Sequence, residues 1–245
     1  MHSFRIATYN IHKARGMDGR VDIARILRVL REVNPDVVAL QEVVNHEDRS
    51  AEEHQACYLA DQFGFHYTVG ETRRHRAAAY GNVTLSRWKF ERVHKIDLSV
   101  AGREPRGALR TDIRVGGELL HFFNVHLGTA ARERRAQARL IDEHLLKAMD
   151  ISGPRVILGD FNDWTHGLVT RTLSNEFHLT DLAAHLPRTR AYPALLPFLH
   201  MDHIYFDDHL KVEEAFFHRN RTSLIASDHL PLVAAFSFQR FQERS

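Results

Sequence analysis

The sequence predicts one α/β domain in which two β-sheets pack together with helices outside them. Three observations carry this. Short apolar runs, continuous or alternating, outnumber the stretches with helical periodicity. The helical stretches are spread among the strands instead of being gathered at one end. No repeat, low-complexity tract or linker interrupts the 245 residues, so 1–245 reads as a single domain.

The elements follow in order. Residues 4–10 form a strand, followed by a basic loop, His12-Lys13-Ala14-Arg15-Gly16. Ile23, Ile26, Leu27 and Leu30 then fall at i, i+3, i+4 and i+7, an amphipathic helix stopped by Asn34-Pro35. A continuous apolar strand over 37–41 leads to Glu42, and a helix over about 51–63 ends at Gly64. Short strands are expected around 67–69, 83–85, 93–98 and 109–115, with Arg73-Arg74-His75-Arg76 as an exposed basic loop between two of them. Gly116-Gly117 turns the chain into a strand over 119–127. A long helix over about 131–149 places Ile141, Leu145, Ala148 and Met149 inward. Short helical pieces (168–173 and 179–186), a proline-containing loop (192–197) and strands at 201–206, 212–217 and 232–238 complete the chain.

Composition narrows the class. Apolar content of 44% and charged content of 26% are ordinary for a soluble globular protein. A net charge of +2 makes no overall electrostatic argument for nucleic acid. Cys57, the single cysteine, excludes an internal disulfide and fits a reducing compartment. No apolar run approaches the ~20 residues of a membrane span, and the chain enters its first strand without a signal-peptide pattern, so a cytoplasmic location is expected. No obligate protein partner is indicated.

The chemistry gathers at strand ends. Arg155-Val156-Ile157-Leu158 opens onto Gly159-Asp160-Phe161-Asn162-Asp163, which places a carboxylate and a carboxamide on one side of an extended chain. The same design recurs at Thr8-Tyr9-Asn10, Leu40-Gln41-Glu42, Asn124-Val125-His126, Met201-Asp202-His203 and Ser227-Asp228-His229. An ionised Glu42 at the end of a buried strand needs a partner or a metal. Oxygen ligands from Asn10 and Glu42 suit Mg2+ or Mn2+. A zinc site built from His200, Asp202 and His203 with Asp207, Asp208 and His209 is the rival. His229, with Asp202 at the start of a neighbouring strand, has the makings of a carboxylate-held general base. Ser-His-Asp acyl transfer lacks a Gly-x-Ser-x-Gly elbow. Together these groups are equipment for metal-assisted hydrolysis of a phosphate ester.

Seven motifs stand in one order: Thr8-Tyr9-Asn10-Ile11-His12, Leu40-Gln41-Glu42-Val43, Gly81-Asn82-Val83-Thr84-Leu85-Ser86-Arg87, Asn124-Val125-His126-Leu127, Gly159-Asp160-Phe161-Asn162, Met201-Asp202-His203-Ile204 and Ser227-Asp228-His229-Leu230-Pro231. In this the chain resembles the exonuclease–endonuclease–phosphatase superfamily, the group of pancreatic deoxyribonuclease, abasic-site endonucleases and neutral sphingomyelinases. It looks most like compact bacterial members such as the YbhP-like proteins. The resemblance covers about residues 4–238. It implies a four-layer αββα sandwich, two packed mixed β-sheets flanked by helices, with the site at one edge. It implies Glu42 with Asn10 at a metal, Asp160 and Asn162 around the attacking water and phosphate, and His126 beside the phosphoryl oxygens. It also implies His229 as general base oriented by Asp202, with Asp228 supporting the metal or the histidine. Asn82 and Asn124, within their motifs, fall on the substrate side. Either Asp160 or His229 takes the water's proton.

The phosphoester itself is left open among nucleic acid, a phospholipid headgroup and a small phosphoester, with a phosphodiester first. A non-catalytic binding module is the other class. The helix after His126 carries Arg132 and Arg135 in its first turns, where free backbone N–H groups already attract anions. Arg132 or Arg135, helped by Arg106, is therefore expected to hold a phosphate flanking the scissile one.

Overall fold

The computed structural model describes residues 3–46, 53–75, 77–143, 151–164 and 167–239. The first sheet contains β1 (Ser3–Asn10), β2 (Val37–Asn45), β3 (His66–His75), β4 (Ala78–Ser86), β11 (Leu210–Phe217) and β12 (Leu232–Phe238). Its order is β11-β12-β1-β2-β4-β3. The second contains β5 (Phe90–Asp97), β6 (Gly107–Val115), β7 (Glu118–His126), β8 (Arg155–Asp160), β9 (Thr180–Asp181) and β10 (Asp202–Phe206). Its order is β5-β6-β7-β8-β10-β9. Each sheet is mixed: β1 runs parallel to β2, and β7 parallel to β8. The first strand pairs with the last, β1 antiparallel to β12.

Side-chain alternation builds the layers. Phe4 and Ile6 of β1, Val37 and Ala39 of β2, Phe122 of β7, Val156 and Leu158 of β8 and Ile204 of β10 share one core between the sheets. Each of the fully buried large side chains there contributes about 1.5–3 kcal/mol. The alternate residues Tyr9, Val38 and Leu40 face outward. They meet Ile26 and Leu30 of α1 (Ile23–Val33) and Leu59 and Ala60 of α2 (Gln55–Phe63). Phe123, Val125, Ile157 and Tyr205 do the same on the other side, against Ala138 and Ile141 of α3 (Ala131–Ile141) and Val169 of α4 (Leu168–Arg171). The order of layers is helix, sheet, sheet, helix.

This alternation positions the site. Continuing the inter-sheet face by twos from Phe4 and Ile6 reaches Asn10, and from Phe122 it reaches His126. From Val156 and Leu158 it reaches Asp160, and backward from Ile204 it reaches Asp202. Polar residues at the ends of apolar strands thus meet where the inter-sheet core opens.

Several expected boundaries differ. Arg73, Arg74 and His75 lie within β3, not in a loop; β3 is an edge strand, which tolerates charge on its solvent side. Arg76 lies outside the described residues, as do Ala51 and the inward positions Leu145, Ala148 and Met149. Residues 179–186 hold the two-residue strand β9 and a 3-10 turn over Leu182–His185, not a helix of α type. The short helix α5 (Arg221–Ala226) was not anticipated; Asn220 caps it by accepting from Ser223 N–H at 2.8 Å while Ser223 Oγ accepts from Asn220 N–H.

Candidate active site

Parallel pairing sets Asn10 beside Gln41 and His126 beside Asp160, and antiparallel pairing sets Asp160 opposite Asp202. Gly159 makes this junction possible. Its φ is +148°, and a Cβ there would stand 1.8 Å from Val125 O, so only glycine lets β8 run close beside β7.

Glu42 does not end its strand, as expected, but sits inside β2 at a β-bulge, where the register to β4 shifts between Leu40 and Val43. Its φ of 58° is left-handed, a conformation that costs on the order of 1–3 kcal/mol in a non-glycine residue. Bulges re-aim side chains; this one turns Glu42 toward Asn10 and Lys13. Asn124 repairs the interrupted ladder, its Nδ2 donating to Leu40 O at 3.1 Å and Val83 O at 2.9 Å.

Three groups converge on one atom, Asp160 Oδ2. Asn10 Nδ2 donates to it at 2.9 Å, and His126 Nε2 and His229 Nε2 each stand 3.6 Å away. Its other oxygen, Oδ1, accepts from Asn162 N–H at 3.0 Å. His229 comes from the loop between α5 and β12, and its Nδ1 is held by Asp202 Oδ2 at 2.8 Å. The ring of Tyr192 lies 4.6 Å from that of His229.

The two histidines are set in opposite states. Burial would lower the His229 pKa, but the charges of Asp202, Asp160 and Asp228 outweigh it and push the imidazole up to about 10. Burial and the neighbouring Arg106 push His126 down to about 4. Arg106 Nη1 lies 3.2 Å from His126 Nδ1. A guanidinium only donates, so Nδ1 accepts and the ring proton of neutral His126 sits on Nε2, the nitrogen nearest Asp160.

Glu42 is the anionic pole. Burial would raise its pKa, yet His126, Lys13 and the hydrogen bonds from Lys13 and Asn10 hold it down at about 2. The Lys13 ammonium rests on Glu42 Oε2. It is carried there by three consecutive left-handed residues, His12, Lys13 and Ala14, with φ of 47°, 61° and 58°. In the sequence this stretch is a basic loop, and only the left-handed backbone shows what Lys13 meets. A cation already neutralises this carboxylate, and the oxygens of Glu42 and Asp160 lie around one amide, so the donor set fits a hard divalent ion. Asn10 fits less simply. Its oxygen accepts from His12 N–H at 3.0 Å, which leaves one lone pair, while its Nδ2 faces both carboxylates and braces Asp160. Asp228, half-buried, faces His12 Nδ1 at 3.6 Å.

Other expected residues are placed differently. Asn82 and Asn124 are buried and spend their bonding tying the sheets together: Asn82 Nδ2 donates to Gly107 O and Asn124 O, and Asn124 Oδ1 accepts from Gln41 Nε2. Asn124, bonded through both its nitrogen and its oxygen, is therefore closed to a substrate. Asn162, left-handed at φ 50°, donates its Nδ2 to Leu127 O at 3.0 Å and so clamps the two strand ends together. Arg132 and Arg135 are exposed. The buried arginine of that turn is Arg134, which donates to Gly128 O and Thr129 O and lies 3.7 Å from Asp163. Arg135 lines a cavity of about 440 Å³ with Arg134 and Arg171.

The rival metal set does not assemble. His203 is buried on Asp181 and Asp163 O, at the site end of β10. Asp207, Asp208 and His209 cluster beyond its other end, where Asp207 accepts from Arg155 N–H at 2.9 Å. Arg155 and Asp160 bound β8, about 16 Å apart at ~3.3 Å per residue. The cluster is therefore remote from Asp160.

Among the described residues, no helix is long and apolar enough to cross a membrane. The family model for the endonuclease/exonuclease/phosphatase family matches residues 7–229. The uncharacterized protein YbhP of Escherichia coli (strain K12) is 30% identical over 246 residues, covering 95% of each chain. An endonuclease/exonuclease/phosphatase structure from Beutenbergia cavernae superposes with a TM-score of 0.78 at 24% identity, over 97% of this chain and 72% of that one. The human Nocturnin catalytic domain, solved with a bound sulfate anion, superposes at 0.76 with 20% identity, over 97% and 95%. With the family model spanning all of the strand-end motifs from Asn10 to His229, the chain belongs to the endonuclease/exonuclease/phosphatase family of phosphoester hydrolases.

Proposed function

We propose that this chain is a Mg2+- or Mn2+-dependent phosphoesterase, first of all a phosphodiesterase, that hydrolyses its ester by in-line attack of an activated water. The convergence of Asn10, His126 and His229 on Asp160 Oδ2 carries the reading. A tetrahedral oxyanion, such as the sulfate on the Nocturnin domain, is the kind of group such a ring of donors accommodates.

Glu42, with Asp228 beside His12, would hold the divalent ion, which when bound supplies charge neutralisation at a phosphoryl oxygen. Asp160 is oriented through both oxygens, by Asn162 N–H and Asn10 Nδ2, and orients the attacking water. His126 Nε2–H donates to a phosphoryl oxygen, its tautomer fixed by Arg106. His229, fixed through Nδ1 by Asp202, presents Nε2 to the same space. With His229 held protonated by the surrounding carboxylates, Asp160 takes the water's proton and the His229 imidazolium, kept in place by Asp202, stabilises the negative charge that develops. Nucleic acid, a phospholipid headgroup and a small phosphoester are the substrate classes this chemistry covers.

The test is a hydrolysis screen on chelator-treated protein. Bis-p-nitrophenyl phosphate, DNA, RNA, phospholipid and inositol phosphates are offered with Mg2+, Mn2+ or Zn2+. Turnover should return with Mg2+ or Mn2+, and Glu42→Gln should lower it by at least about 10²-fold. Restoration by zinc alone overturns the ion assignment. Turnover of none of the esters with any ion favours a binding module on this fold.

A further inference from the structure

The loop between β5 and β6 ends in Glu104-Pro105-Arg106, and its neck is closed by hydrogen bonds. Leu98 N–H and Ser99 Oγ donate to Arg106 O at 2.9 and 3.3 Å, and Arg106 N–H donates to Ser99 Oγ at 3.2 Å. Arg106 is thereby fixed at its backbone, and its side chain, 8% exposed, reaches His126. The other terminal nitrogen, Nη2, meets Glu104 Oε2 at 3.0 Å. The second oxygen of that carboxylate, Oε1, meets Arg73 Nη2 at 2.8 Å. Arg73 belongs to β3 of the first sheet and Arg106 immediately precedes β6 of the second, so a single carboxylate bridges two guanidiniums between the sheets.

Three features distinguish this from an ordinary surface ion pair. Glu104 is 41% exposed at its side chain while Arg106 is 8% exposed, so the cation is the buried partner and the anion the accessible one. Arg73 Nε and Arg106 Nε are both buried and meet no hydrogen-bond acceptor among the described residues. A native protein rarely leaves such donors unmatched without a reason. The Arg73 guanidinium also lies 4.4 Å from the centroid of the Tyr80 ring, which restricts it in place. Two held guanidiniums, a buried one on His126 and a half-buried one joined to it through Glu104, form a preorganised receptor for an anion with more than two oxygens. An exposed glutamate contributes little there and is readily displaced.

We propose that Arg73 and Arg106 form a second anion subsite that binds a non-scissile phosphoryl group of the substrate, with Glu104 as its internal placeholder. This rests on the phosphoesterase reading and narrows it: the substrate carries two phosphoryl groups separated by about the width of the His126 ring and its Arg106 contact. A nucleotide chain and a small bisphosphate both answer to that chemistry. The arriving dianion replaces one negative charge by two between two cations, and the glutamate swings to solvent.

The test compares thymidylyl-thymidine with its 5′- and 3′-phosphorylated forms through the ratio of kcat/KM values. The wild-type ratio should favour one phosphorylated form. Glu104→Gln, which removes the competing charge, should raise that ratio about tenfold, and Arg73→Gln should bring it toward one. Glucose 1,6-bisphosphate against glucose 1-phosphate, as inhibitors, distinguishes a small bisphosphate from a nucleotide chain. If Glu104→Gln lowers turnover of all three substrates by the same factor, Glu104 is only a latch on Arg106 and the subsite is overturned. A binding arm separates this from the hydrolytic reading. Calorimetry on chelator-treated protein compares thymidine 3′,5′-bisphosphate with thymidine 5′-monophosphate. A preference for the bisphosphate that Arg73→Gln abolishes supports the subsite even without hydrolysis of any ester. Equal affinities overturn it and leave the catalytic site untouched.

Discussion

Two buried histidine–aspartate pairs, each with its carboxylate on a strand of the second sheet, share one bond length and differ in everything around it. His229 Nδ1 and His121 Nδ1 each lie 2.8 Å from a carboxylate, Asp202 and Asp112 respectively. His121 is then closed: its Nε2 donates to Ser152 O at 3.0 Å, and Arg110 grips Asp112 through Nε and Nη2, both at 2.9 Å. His229 stays open, its Nε2 standing 3.6 Å from Asp160, beyond hydrogen-bond length. Position explains the contrast. Asp112 and His121 face each other in the body of β6 and β7. His229 sits on a loop at the strand ends, where β7 closes at His126, about 16 Å from His121 at ~3.3 Å per residue. A histidine–carboxylate pair is therefore a stabilising unit when both ring nitrogens are used inside the fold. It becomes a reactive one when the second nitrogen faces the opening between the sheets.

The largest test of this contrast is to break each pair in turn. His229→Ala and Asp202→Asn should each lower kcat by about 10²–10⁴-fold in steady-state assays. Thermal midpoints should fall less than in Asp112→Ala, because the imidazole packs at the mouth of the sandwich, where its removal opens Asp202 to water. Asp112→Ala should do the reverse. It leaves the Arg110 charge buried without its carboxylate, which costs about 3–5 kcal/mol and lowers the melting temperature by roughly 10 °C for a chain of this size. Turnover at a temperature where the variant is folded should stay within about twofold of wild type. Loss of turnover in folded Asp112→Ala, or full turnover in His229→Ala, would erase the distinction.

A pH series sharpens it. Burial raises the Asp112 pKa, but hydrogen bonds from His121 and Arg110 outweigh this and hold it below its ordinary value. A carboxylate whose folded pKa is the lower one contributes stability that is complete above its unfolded value of about 3.9 and is lost as the pH falls toward the folded value. The stability gap between wild type and Asp112→Asn, measured by urea unfolding, should thus be constant near neutrality and shrink below about pH 4. A gap that widens in acid would contradict the assignment.

How much of this was legible beforehand follows the same physics. Apolar runs with period two or 3.6 announced most strands and the helices α1 to α3, because burial writes directly on hydrophobicity. The strand-end residues Asn10, His126, Asp160 and Asp202 were legible because a polar side chain closing an apolar strand breaks the pattern. The bulge at Glu42 and the left-handed turn at Lys13 were not. Both rest on positive φ in ordinary residues, which only the surrounding packing imposes. Asn124 misled for the opposite reason. An amide in a strand looks available to a ligand, yet here it satisfies backbone groups across the gap between sheets. The Asp112–His121–Arg110 network left no trace either, since its members alternate with apolar residues as exposed charges would.

The third pair, His203–Asp181, lies between the two types and gives the smallest expected effect. His203 follows Asp202 on β10 but points to the opposite face, against Phe161 and Tyr205. Its Nδ1 meets Asp181 Oδ2 at 3.1 Å and its Nε2 meets Asp163 O at 3.3 Å, so both nitrogens are used, as in His121. One of those bonds, however, holds the loop that follows Asp160. Burial lowers the His203 pKa, and the hydrogen bond and charge of Asp181 outweigh it, so the folded value is the higher one. A histidine raised on folding contributes stability that is full below its unfolded value of about 6.5 and is lost as pH climbs through the folded value. His203→Gln should therefore cost about 1.5–3 kcal/mol at pH 6, the range for hydrogen bonds to a charged group, and less at pH 9. Through the Asp163 carbonyl it should also lower kcat several-fold, well short of the loss at His229. Urea unfolding at the two pH values, with kcat measured on the same preparations, decides it. A deficit equal at both pH values would remove the charged pair. A kcat loss matching that of His229→Ala would move His203 from the closed type to the open one.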